Sequence, residues 1–275
     1  MAHYTDVANP GSAIGEAIGA AMENALRNKL VEIADEHGCH YLTSGVRKTK
    51  AGNKVKKLLM ADNYGNEYDI DGVLANEAMQ PIIIFESKYI RYKKHNRDKG
   101  SWICTAHSAV RRRYHSIRSS IAILAGSWSQ SSQAMMTSND INLFLIPFEY
   151  ICEILLKYGV VFQWREKEKD KATLAWHTYS ELEQYQKEEI GELMASYVEE
   201  PLAKLITKIL DDTIDRTVEK VLVELVSNLG EVKIYEFSDV GEAIEFLNAE
   251  NLEGEFLTTD SLTLFDPPPA FEDDL

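Results

Sequence analysis

The sequence has few cysteines and no long apolar run. Its three cysteines, Cys39, Cys104 and Cys152, are odd in number and widely spaced, so they suggest neither a disulfide framework nor a zinc finger. No apolar stretch approaches the roughly 18–20 residues that a membrane span requires. Residues 1–11 also lack the basic and apolar regions of a secretion signal. These absences predict a cytoplasmic protein with no membrane partner.

Two motifs of common enzyme classes are missing as well. The sequence has no glycine-rich loop of phosphate-binding form, so ATP-driven activity is not expected in this chain. Ser119 and Ser120 have histidines nearby, but they lack the spacing of a nucleophile elbow. Serine hydrolysis is therefore not supported.

Charge is distributed unevenly along the chain. The net charge of −15 argues at first against a nucleic-acid partner, but residues 181–275 hold 25 acidic and 6 basic residues, whereas the first 180 hold 19 acidic and 23 basic residues. Residues 47–57 contain six bases and no acid, and residues 88–118 contain ten bases and one acid. Screening limits phosphate attraction to about 8–10 Å at physiological salt. A basic face on an acidic protein can therefore hold DNA, and ordinary solvated faces are the alternative.

Apolar periodicity and turn residues predict an α/β fold with a mixed central sheet flanked by helices. A domain is expected over residues 1–165. A mainly helical, acidic region is expected over residues 166–275, and it ends in a flexible tail. A helix interrupted near Pro201, a strand over 232–237 and a short helix over 240–248 are expected in that second region. The elements expected in the first domain are a helix over 11–36 capped by Ser12, strands over 41–46, 56–62, 67–75 and 82–85, a helix over 102–125, a strand over 141–147, a helix over 148–158 and a strand over 160–164.

Charged residues lie on one predicted strand and at the end of another. Side chains alternate between the two faces of a strand, so Asp69 and Asp71 share one face of theirs. Glu86 and Lys88 share a face at the end of the apolar run 82–85, with Cα atoms about 7 Å apart. If the two strands pair, two carboxylates and one ammonium converge.

This group suits Mg²⁺ chemistry on a phosphodiester. Mg²⁺ prefers oxygen ligands and binds through one or two carboxylates, which Asp71 and Glu86 would supply. Lys88 would orient the attacking water or stabilise the developing charge. The backbone carbonyl of Ser87 is a further candidate ligand.

The spacing of Asp71, fourteen intervening residues and then Glu86-Ser87-Lys88 resembles the PD-(D/E)xK nuclease superfamily, which includes most type II restriction endonucleases. The resemblance covers about residues 12–165 and implies a restriction-endonuclease-like core, Mg²⁺ as cofactor and a homodimer acting on double-stranded DNA. Ile70 stands where the motif has proline, which is a common variant. Asp69 is the alternative match to the motif's aspartate.

A glutamate on the first helix completes the site in many members of the superfamily. Glu23 is the candidate here, with Glu16 as the alternative. A second Glu-x-Lys, formed by Glu231 and Lys233, begins a strand rather than ending one, and no basic helix follows it. The first copy is therefore the better match, and a surface Glu–Lys pair on an edge strand is the alternative interpretation.

Basic residues after the motif are predicted to bind DNA. The helix that follows the Glu-x-Lys strand lies near the DNA backbone in the superfamily, so its arginines are expected to contact phosphates or guanine. Arg111, His115 and Arg118 would share one face of that helix, although a solvated face is the alternative. The candidate DNA-binding residues are Arg91, Lys93, Lys94, Arg111, Arg112, Arg113, Arg118, Lys54 and Lys56.

Three functions are compatible with these observations. The first is a Mg²⁺-dependent, site-specific DNA endonuclease, most simply a type II restriction enzyme. The second is a repair or recombination nuclease that selects DNA by shape. The third is a DNA- or protein-binding module on the same fold that no longer cuts, and the intact group of Asp71, Glu86 and Lys88 argues against it.

Overall fold

A computed structural model of the chain describes residues 7–44, 57–92, 96–165, 168–249, 251–257, 263 and 266. The chain divides into two compact units, Met1–Asp211 and Asp212–Leu275. Most of the predicted flexible tail lies outside the described residues. None of the helices in the described ranges combines the length and apolarity that crossing a membrane requires.

The helices and strands of the described residues are these. The helices are α1 Pro10–Glu36, α2 Asn96–Arg113, α3 Gln130–Thr137, α4 Phe148–Lys157, α5 Lys169–Glu181, α6 Gln184–Leu210 and α7 Val240–Ala249, with a 3₁₀ helix at Gly254–Leu257. The strands are β1 His40–Leu42, β2 Leu59–Ala61, β3 Glu67–Asp69, β4 Gly72–Ala75, β5 Pro81–Ile90, β6 Ser119–Gly126, β7 Ile141–Pro147, β8 Val221–Val226 and β9 Val232–Phe237.

A mixed five-stranded sheet forms the centre of the first unit, as the predicted fold class requires. Its order is β1-β4-β5-β6-β7, in which β4 is antiparallel to β1 and β5, and β6 is parallel to β5 and β7. One face packs on α1, α4, α5 and α6 through buried residues such as Phe85 and Ile123. The other face packs on α2 and α3. Both faces of the central strands are covered, which explains their continuous apolar runs.

The first helix follows from its apolar stripe. Ile14, Ile18 and Met22 recur at helical spacing and are fully buried. The predicted cap at Ser12 is wrong: Asn9 is the N-cap, and its side chain accepts a hydrogen bond from the Ser12 amide at 3.2 Å. Pro10 then occupies the first turn, where its missing amide hydrogen costs nothing.

The predicted helix over 102–125 is wrong in its second half. The helix α2 ends at Arg113, and Ser119–Gly126 forms β6, whose residues up to Ala125 are buried between β5 and β7. A short apolar run cannot be assigned to helix or strand by periodicity alone, and burial on both faces decides for the strand here. The strand predicted over 160–164 is also absent, although Val160 and Phe162 are buried.

The strands predicted over 56–62 and 67–75 are confirmed in part. The strands β2 and β3 pair antiparallel, with Met60 opposite Tyr68. The second predicted strand, however, is interrupted at Ile70 and Asp71, so β3 belongs to a small two-stranded sheet and β4 to the large one. The apolar strand β5 is longer than predicted and continues to Ile90.

The first compact unit extends beyond the predicted boundary at residue 165. The helices α5 and α6 pack against α1, and the division lies at Asp211. Pro201 does not interrupt α6, because Val198, Leu202 and Ile206 are buried on both sides of the proline and packing holds the helix together.

The second unit contains a hairpin followed by a helix. The strands β8 and β9 pair antiparallel, and Phe246 of α7 packs against Tyr235 and Phe237. The strand over 232–237 and the helix near 240–248 are confirmed. The prediction of a mainly helical region is wrong for residues 221–226, where alternation between half-buried and exposed residues gives a strand.

Gly191 brings α6 close to α1, because a Cβ there would lie 2.3 Å from the carbonyl oxygen of Ala21. We expect Gly191→Ala to lower the free energy of unfolding by about 1–3 kcal/mol, because the backbones of α1 and α6 would have to move apart. Gly11→Ala is the control, because its Cβ would meet nothing closer than 3.6 Å, and its helical position gains up to about 1 kcal/mol from alanine. Urea unfolding measures both, and equal effects would contradict the close crossing.

Candidate active site

Asp71 lies at the bend between β3 and β4, where the chain passes from the small sheet to the large one. The register pairs Gly72 with Phe85, so Asp71 comes next to Glu86 on the neighbouring strand. The backbone amide of Ser87 donates a hydrogen bond to the Asp71 carboxylate at 3.0 Å. The bend therefore fixes Asp71 against the middle of β5.

Gly72 follows Asp71 for a steric reason. A Cβ at this position would lie 2.2 Å from the hydroxyl oxygen of Tyr41. The Tyr41 ring cannot move away freely, because it packs edge-on against Phe85 with centroids 5.6 Å apart. A glycine therefore lets β1 and β4 close beside the Asp71 carboxylate.

Lys88 lies between the two carboxylates. Its Nζ is 2.8 Å from the Asp71 carboxylate and 2.7 Å from that of Glu86. The Glu86 side chain is 3% exposed, whereas those of Lys88 and Asp71 are 26% and 34% exposed. The group is therefore closed at Glu86 and open to solvent at Asp71.

Burial changes the protonation of this group. It raises the pKa of Glu86 to about 7, while the Lys88 ammonium lowers that pKa and the Asp71 carboxylate raises it. Burial lowers the pKa of Lys88, but the charges of Glu86 and Asp71 together raise it by more. The ammonium therefore stays charged at neutral pH, while Glu86 exchanges its proton near neutrality.

The alternatives for the acidic residues differ in their partners. Asp69 borders the same pocket as Asp71 and Glu86, but it lies in β3 and pairs with Lys57 rather than with Lys88. Glu23 of α1 borders the same pocket as Asp71 and Glu86, and its pKa is raised by partial burial and then by the Asp71 charge. Glu16 borders only a neighbouring pocket. The structure therefore groups Asp71, Glu86, Lys88 and Glu23.

Two pockets adjoin the group and share Glu23 and Ser87 in their walls. The smaller, of about 220 Å³, lies on the Asp71 side and carries the basic side chains of Arg27 and Lys57. The larger, of about 1170 Å³, lies along Lys88 and the end of β5. The smaller pocket has more acidic than basic residues in its lining, whereas the larger has more basic ones, and the catalytic candidates lie where the two meet.

The predicted arginine face of α2 does not form. Arg118 lies beyond the end of α2 at Arg113, so helical spacing no longer relates it to Arg111. Guanidinium groups of three predicted DNA-binding arginines instead donate to main-chain oxygens: Arg111 to Asp140 at 3.4 Å, Arg113 to Asp62 at 2.9 Å and Arg118 to Ile209 at 2.7 Å.

The other predicted DNA-binding residues are placed as follows. Arg91 borders the larger pocket. Arg112 is an exposed residue near the end of α2, and its main-chain oxygen accepts a hydrogen bond from Asn63. The predicted lysines at Lys54, Lys56, Lys93 and Lys94 lie outside the described residues.

Several residues near the group carry no signal in the sequence. Tyr41 and Arg27 come from distant elements, and only the fold brings them to the pocket. His107 of α2 is 1% exposed, and neither ring nitrogen has a hydrogen-bond partner in the described part of the chain. Burial, then the charges of Arg111 and Lys88, lowers the pKa of His107 to about 3, so it adds no charge beside Lys88.

The donor set fits Mg²⁺ better than a closed structural metal. Within the described ranges, no group of three or more histidine, cysteine, aspartate or glutamate side chains is arranged to hold a metal ion. Mg²⁺ needs fewer protein ligands, since water and substrate phosphate complete its shell. Asp71 and Glu86 both contact one cation, the Lys88 ammonium, so the two carboxylates face a common point.

Comparisons with known proteins name no function. No protein-family model and no curated protein matches the sequence. One similar solved structure is a crystal structure described as a protein of unknown function, AF1548, with 14% identity and a TM-score of 0.30. The match covers 68% of this chain and 98% of that chain. A TM-score this low supports no conclusion about fold or function, so the function must be inferred from the site.

The raised pKa of Glu86 makes stability depend on pH. Between its ordinary value of 4.5 and about 7, the folded protein keeps a proton that the unfolded chain has released, so the free energy of unfolding falls as pH rises through this window. The loss is about 3 kcal/mol by pH 8. We expect Glu86→Gln, which stays neutral, to escape that loss in urea unfolding with EDTA.

Glu200→Gln is the matched control, because Glu200 is an exposed residue of α6 outside the site. It should follow the wild-type dependence on pH. A Glu86→Gln variant that loses as much stability as the wild type over this window would contradict a buried, proton-exchanging Glu86.

Proposed function

We propose that the chain is a Mg²⁺-dependent DNA endonuclease with a restriction-endonuclease-like core. The observation that supports this proposal is the position of Lys88, whose ammonium lies within 2.8 Å of both the Asp71 and the Glu86 carboxylates. These three residues match the PD-(D/E)xK motif, and they come from β5 and from the bend before β4 rather than from one local turn.

Asp71 and Glu86 would hold Mg²⁺, and the Ser87 carbonyl is the further ligand in the proposal. When bound, the ion polarises the phosphoryl oxygen, lowers the pKa of a water and stabilises the leaving oxygen. Lys88 stays charged and can orient the attacking water or stabilise charge that develops on the phosphate. Because Glu86 is closed to solvent and Asp71 is open, the phosphate would approach from the Asp71 side.

Glu23 has a supporting role in the proposal. Its carboxyl borders the pocket of Asp71, and partial burial raises its pKa. A carboxyl in the wall of the same pocket as the candidate metal ligands can accept a proton from water. Glu23 is therefore a fourth catalytic candidate, with less support than Asp71, Glu86 and Lys88.

Site-specific cleavage of double-stranded DNA by a homodimer is the finer part of the proposal, and it rests on the family resemblance. A type II enzyme cuts both strands at one sequence. Sequencing the ends of cleavage products tests this: one recurrent sequence supports it, whereas cuts at junctions or flaps favour a structure-selective repair nuclease.

Incubation with supercoiled plasmid tests the chemistry. We expect the wild type to nick or linearise the plasmid with Mg²⁺ and not with EDTA. Asp71→Ala and Lys88→Ala should each slow cleavage by about 100-fold or more, because each removes a group that acts on the phosphate. DNA binding should remain measurable in both variants.

Lys204→Ala is the matched control, since Lys204 is an exposed lysine of α6 outside both pockets. It should cut at the wild-type rate. Wild-type rates in Asp71→Ala or Lys88→Ala would reject the proposed catalytic group, and cleavage insensitive to EDTA would reject its metal.

A further inference from the structure

The larger pocket continues from the catalytic group along the chain. Its floor is the end of β5 and the residues after it, from Ser87 to Tyr92, and the beginnings of α1 and α5 form its walls. Because Glu23 and Ser87 belong to both pockets, a ligand at Lys88 can extend directly into this space. The volume of about 1170 Å³ admits more than a single small ion.

The pocket carries more positive than negative groups. Lys88 is already paired with Asp71 and Glu86. The other three basic side chains of the lining, Arg91, Lys99 and Lys169, form no ion pair with a carboxylate of the described residues. Their charge is therefore available to an anionic ligand. The bordering cations are Lys88, Arg91, Lys99 and Lys169, against the acids Glu16 and Glu23.

Arg91 is held firmly in the wall. Its Nη2 donates to the main-chain oxygen of Trp164 at 3.3 Å, and its guanidinium carbon lies 3.5 Å from the centroid of the Trp164 ring. The Phe162 ring lies 4.4 Å away. Aromatic faces hold the group in place but do not neutralise its charge. Lys99 and Lys169, by contrast, are exposed residues from distant elements that meet at this pocket.

We infer that this pocket binds the sugar-phosphate backbone of the DNA strand next to the scissile phosphate, with Lys99 and Lys169 as its phosphate contacts. The inference rests on the proposed nuclease function and adds where the strand runs. Phosphate contacts position a nucleic acid without reading its sequence. Lys99 and Lys169 therefore fix the register of the strand over Lys88.

The test compares DNA binding by a pocket variant with binding by a variant of equal charge. The pocket variant carries Lys99→Ala and Lys169→Ala, and the control carries Lys157→Ala and Lys204→Ala, two exposed lysines outside the pocket. Binding of a fluorescein-labelled duplex is measured by anisotropy in EDTA over a range of salt. We expect the pocket variant to bind about tenfold more weakly, with a salt slope lower by about two, one for each lost contact.

The outcomes separate this inference from the proposed function. If the wild type binds and cuts DNA but the two double variants have equal affinity and equal salt slope, the proposed strand path is wrong. The proposed nuclease function would then still stand. A wild type that neither binds DNA nor cuts it would reject the nuclease and the strand path together. Weaker binding and a lower slope in the pocket variant alone would support the inference.

Discussion

The Lys88 ammonium lies between the Glu86 carboxylate of β5 and the Asp71 carboxylate at the bend before β4, and the arrangement of the site depends on this contact. Glu86 is almost fully buried, and a buried carboxylate without a partner is strongly unfavourable. Lys88 supplies that partner and reaches Asp71 as well. The antiparallel register of β4 and β5 makes the contact possible, because it sets Gly72 opposite Phe85. A shift of one residue would move Glu86 and Lys88 to the other face of the sheet.

The net charge of the whole chain differs from the net charge of the first unit. Residues 212–275 contain 17 acidic and 3 basic residues, which leaves 27 acidic and 26 basic residues in 1–211. The unit with the candidate active site is therefore nearly neutral, and its larger pocket brings together basic residues from distant elements. A net charge of −15 does not by itself argue against DNA as a partner, because phosphate attraction is local.

The sequence predicts the candidate site better than it predicts the fold around it. Alternation within a strand places Glu86 and Lys88 on one face whatever the surroundings, and the aspartate strand is recognisable beside them. Local sequence does not indicate the bend at Asp71, since the bend depends on the passage of the chain from the small sheet to the large one. The misassignment of β6 has a similar cause, because a buried central strand has no alternation that distinguishes it from a helix.

The structure differs from the predicted boundary at residue 165 and from the predicted arginine face of α2 because both depend on tertiary structure. The helices α5 and α6 join the first unit through packing on α1, which local sequence does not reveal. Lys99 and Lys169 are equally hidden, since 70 positions separate two residues that border one pocket. Local patterns find a motif, whereas the groups that surround it come from long-range contacts.

The central claim is that Asp71 and Glu86 converge on one point where a divalent cation can bind. A crystal of the protein grown with Mn²⁺ tests this directly through the anomalous scattering of the metal. The account predicts one anomalous peak bonded to oxygens of both carboxylates, with Lys88 displaced from its position between them. An ordered site without a peak at saturating Mn²⁺, or a peak that contacts neither carboxylate, would contradict it.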